Sequence, residues 1–130
     1  MKPLRIEHVG VLVTDPVGMA RWYESALGFE VRVAAEGTDK AVAFLADCTG
    51  NVVLEFGRVP GGEPLVQHTT QPLQFHIAFE SEDPDEDAKR LIEHGASFIE
   101  VCTVRCAGDR VLLLRDPWGH TIQLVRRAKG

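Results

Sequence analysis

Four polar residues stand in stretches of sequence that otherwise read as buried strand. They are His8 in Ile6-Glu7-His8-Val9-Gly10-Val11, Glu55 in Val52-Val53-Leu54-Glu55-Phe56, His76 in Phe75-His76-Ile77-Ala78, and Gln123 in Ile122-Gln123-Leu124-Val125. A carboxylate among Val and Leu side chains is costly to bury unless it is paired or bound to a cation. Two imidazoles, one carboxylate and one amide oxygen make a reasonable ligand set for Zn2+, Ni2+, Co2+, Mn2+ or Fe2+, with one or two positions left for water or substrate. Each residue taken singly has an ordinary alternative: a lone strand histidine is usually a satisfied core residue, and Glu55 could pair with an arginine such as Arg58.

The four gain weight from their spacing. His8 and His76 align at an offset of 68 residues, and the same offset carries Asp15-Pro16 onto Asp83-Pro84, Leu54-Glu55-Phe56 onto Ile122-Gln123-Leu124, and Arg58 onto Arg126. Similar patterning at one spacing over most of the chain marks an internal repeat, so each half should be the same supersecondary unit. The candidate ligands then fall at two pairs of repeat-equivalent positions.

In the first half, residues 6–14 are apolar and β-branched and predict a strand. Asp15-Pro16 opens a helix with Met19, Trp22, Tyr23, Ala26 and Leu27 on one face, and Gly28 stops it. Strands follow at 29–34, 41–46 and 51–57, the last two joined across Asp47-Cys48-Thr49-Gly50. The second half repeats the order: a strand at 73–80, a helix from Pro84 to about His94 with Ala88, Leu91 and Ile92 as its buried stripe, and strands at 98–104, 110–114 and 120–126. Residues 59–72, rich in Gly and Pro, link the halves. A single domain over 1–130 is expected, with an N-terminal βαβββ module at 1–58 and a C-terminal one at 73–127. The fold class is α+β: two such modules forming a curved, barrel-like mixed sheet with helices outside. Matched polar residues should then face each other across its interior.

Composition narrows the partners. A net charge of −5 and a pI near 5.5 disfavour a nucleic-acid role, which needs a clustered basic surface. No apolar run approaches a membrane span, and the N-terminus lacks a secretory signal, so a small-molecule partner and a cytoplasmic location are expected. Cys48, Cys102 and Cys106 form no Cys-x-x-Cys pair and read as reduced thiols. The six carboxylates between Glu80 and Asp87 fall where the second helix starts, with Asp83 as its cap, Pro84 in its first position and Glu86 three residues beyond the cap. Trp118 should cover the core, His94 and His120 should satisfy backbone groups or face solvent, and His68 carries no signal.

Several segments together resemble the vicinal oxygen chelate superfamily, the group of glyoxalase I, bleomycin-resistance proteins and extradiol dioxygenases. The carriers are His8 before Val9-Gly10, the stretch from Trp22 to Phe29, Val53-Leu54-Glu55, His76, and the run Asp116-Pro117-Trp118-Gly119-His120-Thr121-Ile122-Gln123-Leu124-Val125. The resemblance covers nearly the whole chain and implies the paired βαβββ fold, with homodimers common among small members. It also implies one divalent metal held at His8, Glu55, His76 and Gln123. Gln123 departs from the pattern, since metal-dependent members usually carry Glu there as ligand and, in the isomerases, as base. An amide oxygen can bind a metal but takes no proton, which leaves Glu55 as the residue able to serve as both ligand and base. The implied activity is that of a glyoxalase-like lyase or isomerase working through an enediolate-type intermediate. A ferrous extradiol-type dioxygenase and a non-catalytic, bleomycin-resistance-like binding protein are the alternatives.

Overall fold

A computed structural model of the chain describes residues 1–102 and 107–129. Cys106 and the far end of the strand expected at 98–104 lie outside the described residues. The chain divides into two compact units, Met1–Leu65 and Val66–Gly130.

The first unit runs β1 (Val9–Leu12), α1 (Pro16–Leu27), β2 (Glu30–Glu36), β3 (Ala41–Ala46) and β4 (Val52–Arg58). Strands β2, β3 and β4 form an antiparallel meander, and β1 joins its far edge parallel to β4, giving the order β1-β4-β3-β2. A parallel neighbour requires a crossover, which α1 begins and the meander completes. The helix starts where expected because Asp15 accepts from the Gly18 N–H at 3.1 Å and Pro16 occupies a position that needs no donor. It ends at Gly28, whose φ of 75° is left-handed, with Phe29 N–H returning to the Tyr23 carbonyl.

Helix α1 packs on β2, β3 and β4. Its Met19, Ala20, Tyr23 and Ala26 are buried together with Ala43, Leu45, Leu54 and Phe56 of the sheet. The Tyr23 and Phe56 rings meet edge to face with centroids 5.2 Å apart, a favoured geometry for aromatic pairs. Strand alternation therefore sends Val42, Phe44, Val53 and Glu55 to the face that α1 leaves uncovered.

The second unit repeats the plan with β5 (His76–Glu80), α2 (Pro84–Glu93), β6 (Ser97–Val101), β7 (Arg110–Arg115) and β8 (Thr121–Arg126), in the order β5-β8-β7-β6. Asp83 caps α2 by accepting from the Glu86 N–H at 3.2 Å, and Asp85, Glu86 and Asp87 occupy its first turn, where the helix dipole favours negative charge. Ala88 and Leu91 are its buried stripe, whereas Ile92 is exposed.

The expected α+β class and paired βαβββ plan are present, with two differences of detail. Among the described residues the strands form two separate four-stranded mixed sheets and no closed barrel. Both N-terminal strands are also shorter than their apolar runs. Strand β1 starts at Val9 rather than residue 6, and a 3-10 turn, Pro72–Gln74, replaces the start of the strand expected at 73. Proline cannot donate to a ladder and Gln71 caps this turn, its side chain accepting from the Leu73 N–H, so regular pairing waits until His76.

Candidate functional site

The sheet registers place the four polar residues in two matching pairs. In the first unit Gly10 is the partner of Glu55 across β1 and β4, and His8 lies two residues before Gly10. In the second unit Ala78 is the partner of Gln123 across β5 and β8, and His76 lies two residues before Ala78. Each histidine is thus the diagonal neighbour of its acid or amide.

His8 Nε2 lies 3.9 Å from Glu55 Oε1, and the Glu55 side chain is 34% exposed. The Phe44 ring stands edge-on to the His8 imidazole at 6.1 Å. Glu55 does not take the ordinary alternative of a pair with Arg58, because Arg58 bonds instead to Glu36 and the Gly37 carbonyl. An ideal Cβ on residue 10 would come within 2.9 Å of Glu55 Oε1, so glycine there is what lets the carboxylate lie across β1.

Both imidazoles are tethered through Nδ1. His8 Nδ1 bonds the Glu7 carboxylate, and His76 Nδ1 lies 3.1 Å from the Leu73 carbonyl in the 3-10 turn. Carboxylate and carbonyl oxygens only accept, so in each neutral ring Nδ1 carries the proton and Nε2 keeps its lone pair. That is the arrangement metal-binding histidines use. The hydrogen bond to Glu7 raises the His8 pKa above its ordinary value; desolvation opposes it, and the charges of Glu7 and Glu55 add lesser upward effects.

These donors fit a divalent ion in chemistry: two imidazole Nε2 atoms, one carboxylate and one amide oxygen. Among the described residues no group of three or more His, Cys, Asp or Glu side chains stands together as a ready cage; His8 and Glu55 belong to the first unit, His76 and Gln123 to the second.

Three further residues lie at the end of the second sheet that carries His76 and have no obvious sequence signal. Gln67, 1% exposed, accepts from the Thr121 N–H at 3.2 Å and donates to the Phe75 carbonyl at 2.7 Å, bridging β5 and β8 beside His76. Arg115 donates to the carbonyls of Gln67, Thr70 and Gly119, holding residues 67–70 against the β7–β8 turn within the second unit. The third is Thr121, the register partner of His76, whose hydroxyl is buried with no hydrogen-bond partner among the described residues.

His94 fulfils its expected role by placing Nδ1 2.9 Å from the Arg90 carbonyl at the end of α2. His120 does not face solvent. It is 5% exposed, its Nδ1 lacks a described partner, and burial lowers its pKa. Trp118 is half-buried.

The fold is shared with known structures. A glyoxalase family protein from Bacillus cereus superposes with a TM-score of 0.75 at 21% identity, covering 96% of this chain and 95% of its own. A glyoxylase/bleomycin resistance protein/dioxygenase domain from Frankia sp. EAN1pec gives 0.72 at 22% identity, covering 98% and 100%. A glyoxalase family protein from Enterococcus faecalis gives 0.69 at 21% identity, covering 94% and 97%. No curated protein matches the sequence. The profile of the Glyoxalase/Bleomycin resistance protein/Dioxygenase superfamily matches residues 5–124, a span that includes the first βαβββ unit, the second up to Leu124 in β8, and all four polar residues. The chain belongs to that superfamily.

Proposed function

We propose that this protein is a metal-dependent, glyoxalase-like lyase or isomerase acting on a small substrate with adjacent oxygen atoms. His8, Glu55, His76 and Gln123 would hold one divalent ion, and Glu55 would also act as the base. The observation that carries this reading is the matched diagonal register of His8 with Glu55 and of His76 with Gln123, each beside a small residue on the partner strand.

A bound divalent ion would supply Lewis-acid stabilisation of a developing oxyanion. His8 and His76 each present an Nε2 lone pair held in direction by the acceptor at Nδ1. Gln123 contributes its amide oxygen and moves no proton. Proton transfer from a carbon next to a carbonyl therefore falls to the Glu55 carboxylate, which is partly open to solvent and has Gly10 beneath it. The reading also includes assembly as a homodimer and a location in the cytoplasm, where thiols such as Cys48 and Cys102, free in this structure, stay reduced. No described helix is long and apolar enough to cross a membrane.

The test is a set of thermal melts of metal-free protein with Ni2+, Zn2+, Co2+, Mn2+ and Fe2+ added singly. An ion that binds the native state alone raises the melting temperature, and raises it further the more tightly it binds. A rise with at least one ion, reduced in His8→Ala and His76→Ala, supports the reading. No rise with any ion would reject it in favour of a small-molecule binding protein. Turnover that consumes oxygen and requires Fe2+ would replace the isomerase with a dioxygenase.

A further inference from the structure

We propose that Glu7 is a positioning residue for the candidate metal centre: its carboxylate holds the His8 imidazole in the tautomer and orientation that turn Nε2 toward Glu55. This rests on the metal-binding reading above.

Successive residues of a regular strand point to opposite faces, so adjacent Glu7 and His8 could not meet within one. Regular β1 pairing begins at Val9, and just ahead of it the two side chains bond each other. The second unit meets the same need differently. The 68-residue offset matches Phe75 in sequence with Glu7, and His76 obtains its Nδ1 acceptor from the Leu73 carbonyl of the 3-10 turn. The two histidines thus meet one requirement with different acceptors, a charged side chain in one half and a fixed backbone oxygen in the other.

A role in holding the fold together does not account for Glu7. Its side chain is 71% exposed and that of His8 38%, and ion pairs in such positions add little to folding. Its consequence is local: a carboxylate at Nδ1 fixes the proton there, directs the ring and makes Nε2 a better donor to a metal. Without it the neutral ring is free to carry its proton on Nε2, the atom that must bind.

The experiment compares the unsubstituted protein with Glu7→Ala and Glu7→Gln. Nitrogen-15 NMR of the metal-free proteins, at alkaline pH where the imidazole is neutral, reads the His8 tautomer. Competition with a chromogenic chelator reads the affinity for Zn2+ or Ni2+. Glu7→Ala is expected to move the His8 proton from Nδ1 toward Nε2 and to weaken metal binding about 10- to 100-fold. Glu7→Gln, whose amide oxygen still accepts from Nδ1, should recover part of both, while the His76 signals stay unchanged in either variant. If the unsubstituted chain binds and Glu7→Ala leaves both the His8 tautomer and the affinity unchanged, the role of Glu7 is overturned while the metal site stands. If the unsubstituted protein binds no divalent ion, the metal-binding reading fails and this role with it.

Discussion

Glu55 lies directly across the parallel β1–β4 pair from Gly10, with its carboxylate 2.9 Å from where a Cβ on residue 10 would sit. The obstructing atom is the end of a flexible side chain and Gly10 has no positive φ, so alanine is sterically possible there only if the carboxylate moves. Gly10→Ala should therefore leave stability within about 1 kcal/mol of the parent, because added Cβ strain and reduced unfolded-state entropy oppose each other. It should still weaken divalent-ion binding several-fold. Denaturant unfolding and metal titration of one sample measure the two effects, and an unchanged affinity would mean that the position of the carboxylate is unimportant.

Gln67 is the hydrogen-bonded bridge over one end of the β5–β8 pair. Gln67→Ala removes the partners of the Phe75 carbonyl and the Thr121 N–H, and an unsatisfied buried group costs about 1–3 kcal/mol. The variant should unfold at lower denaturant concentration, and hydrogen exchange should quicken at Thr121.

Burial sets the pH response of His120. Its folded pKa lies below the ordinary 6.5, so the unfolded chain binds the proton more readily. The stability of the neutral, buried ring is fully present above that unfolded value and is lost as pH falls through it toward the folded pKa, at no more than about 1.4 kcal/mol per pH unit. His8 has the opposite sign: its raised pKa gives a contribution that is present below 6.5 and lost as pH rises through the folded value. Urea unfolding at a series of mildly acidic pH values should show His120→Phe with a flatter loss of stability than the parent. Parallel curves would show that His120 does not govern this window.

The two helix caps offer a simpler check. Asp83→Ala removes the acceptor of the Glu86 N–H and should cost about 1 kcal/mol, as should Asp15→Ala at the start of α1. Thermal unfolding of each variant tests both.

The features legible in sequence were those that repeat or punctuate. The 68-residue offset located both βαβββ units, and Asp-Pro followed by a later Gly bounded both helices, because caps and breakers act through local backbone chemistry. The start of β1 was not legible: Ile6 is 83% exposed, and β-branched residues favour a strand without supplying a neighbour to pair with. Gln67 is not legible because a polar residue in a Gly/Pro-rich linker looks like surface, and only its contacts to Phe75, Arg115 and Thr121 reveal its burial. At the site, the residue types of the four candidate ligands were visible. The register that makes His8 diagonal to Glu55, and the Nδ1 contacts that direct both rings, belong to strand pairing and the 3-10 turn and required the structure.

The proposed function requires His8, Glu55, His76 and Gln123 to bind a single divalent ion. Elemental analysis of protein purified without added metal, beside His8→Ala and His76→Ala prepared identically, decides whether they do. About one transition-metal ion per chain is expected in the parent, or the same after reloading, with marked loss in both variants. A folded parent that holds no ion even after reloading, or variants that retain it fully, would overturn the proposal.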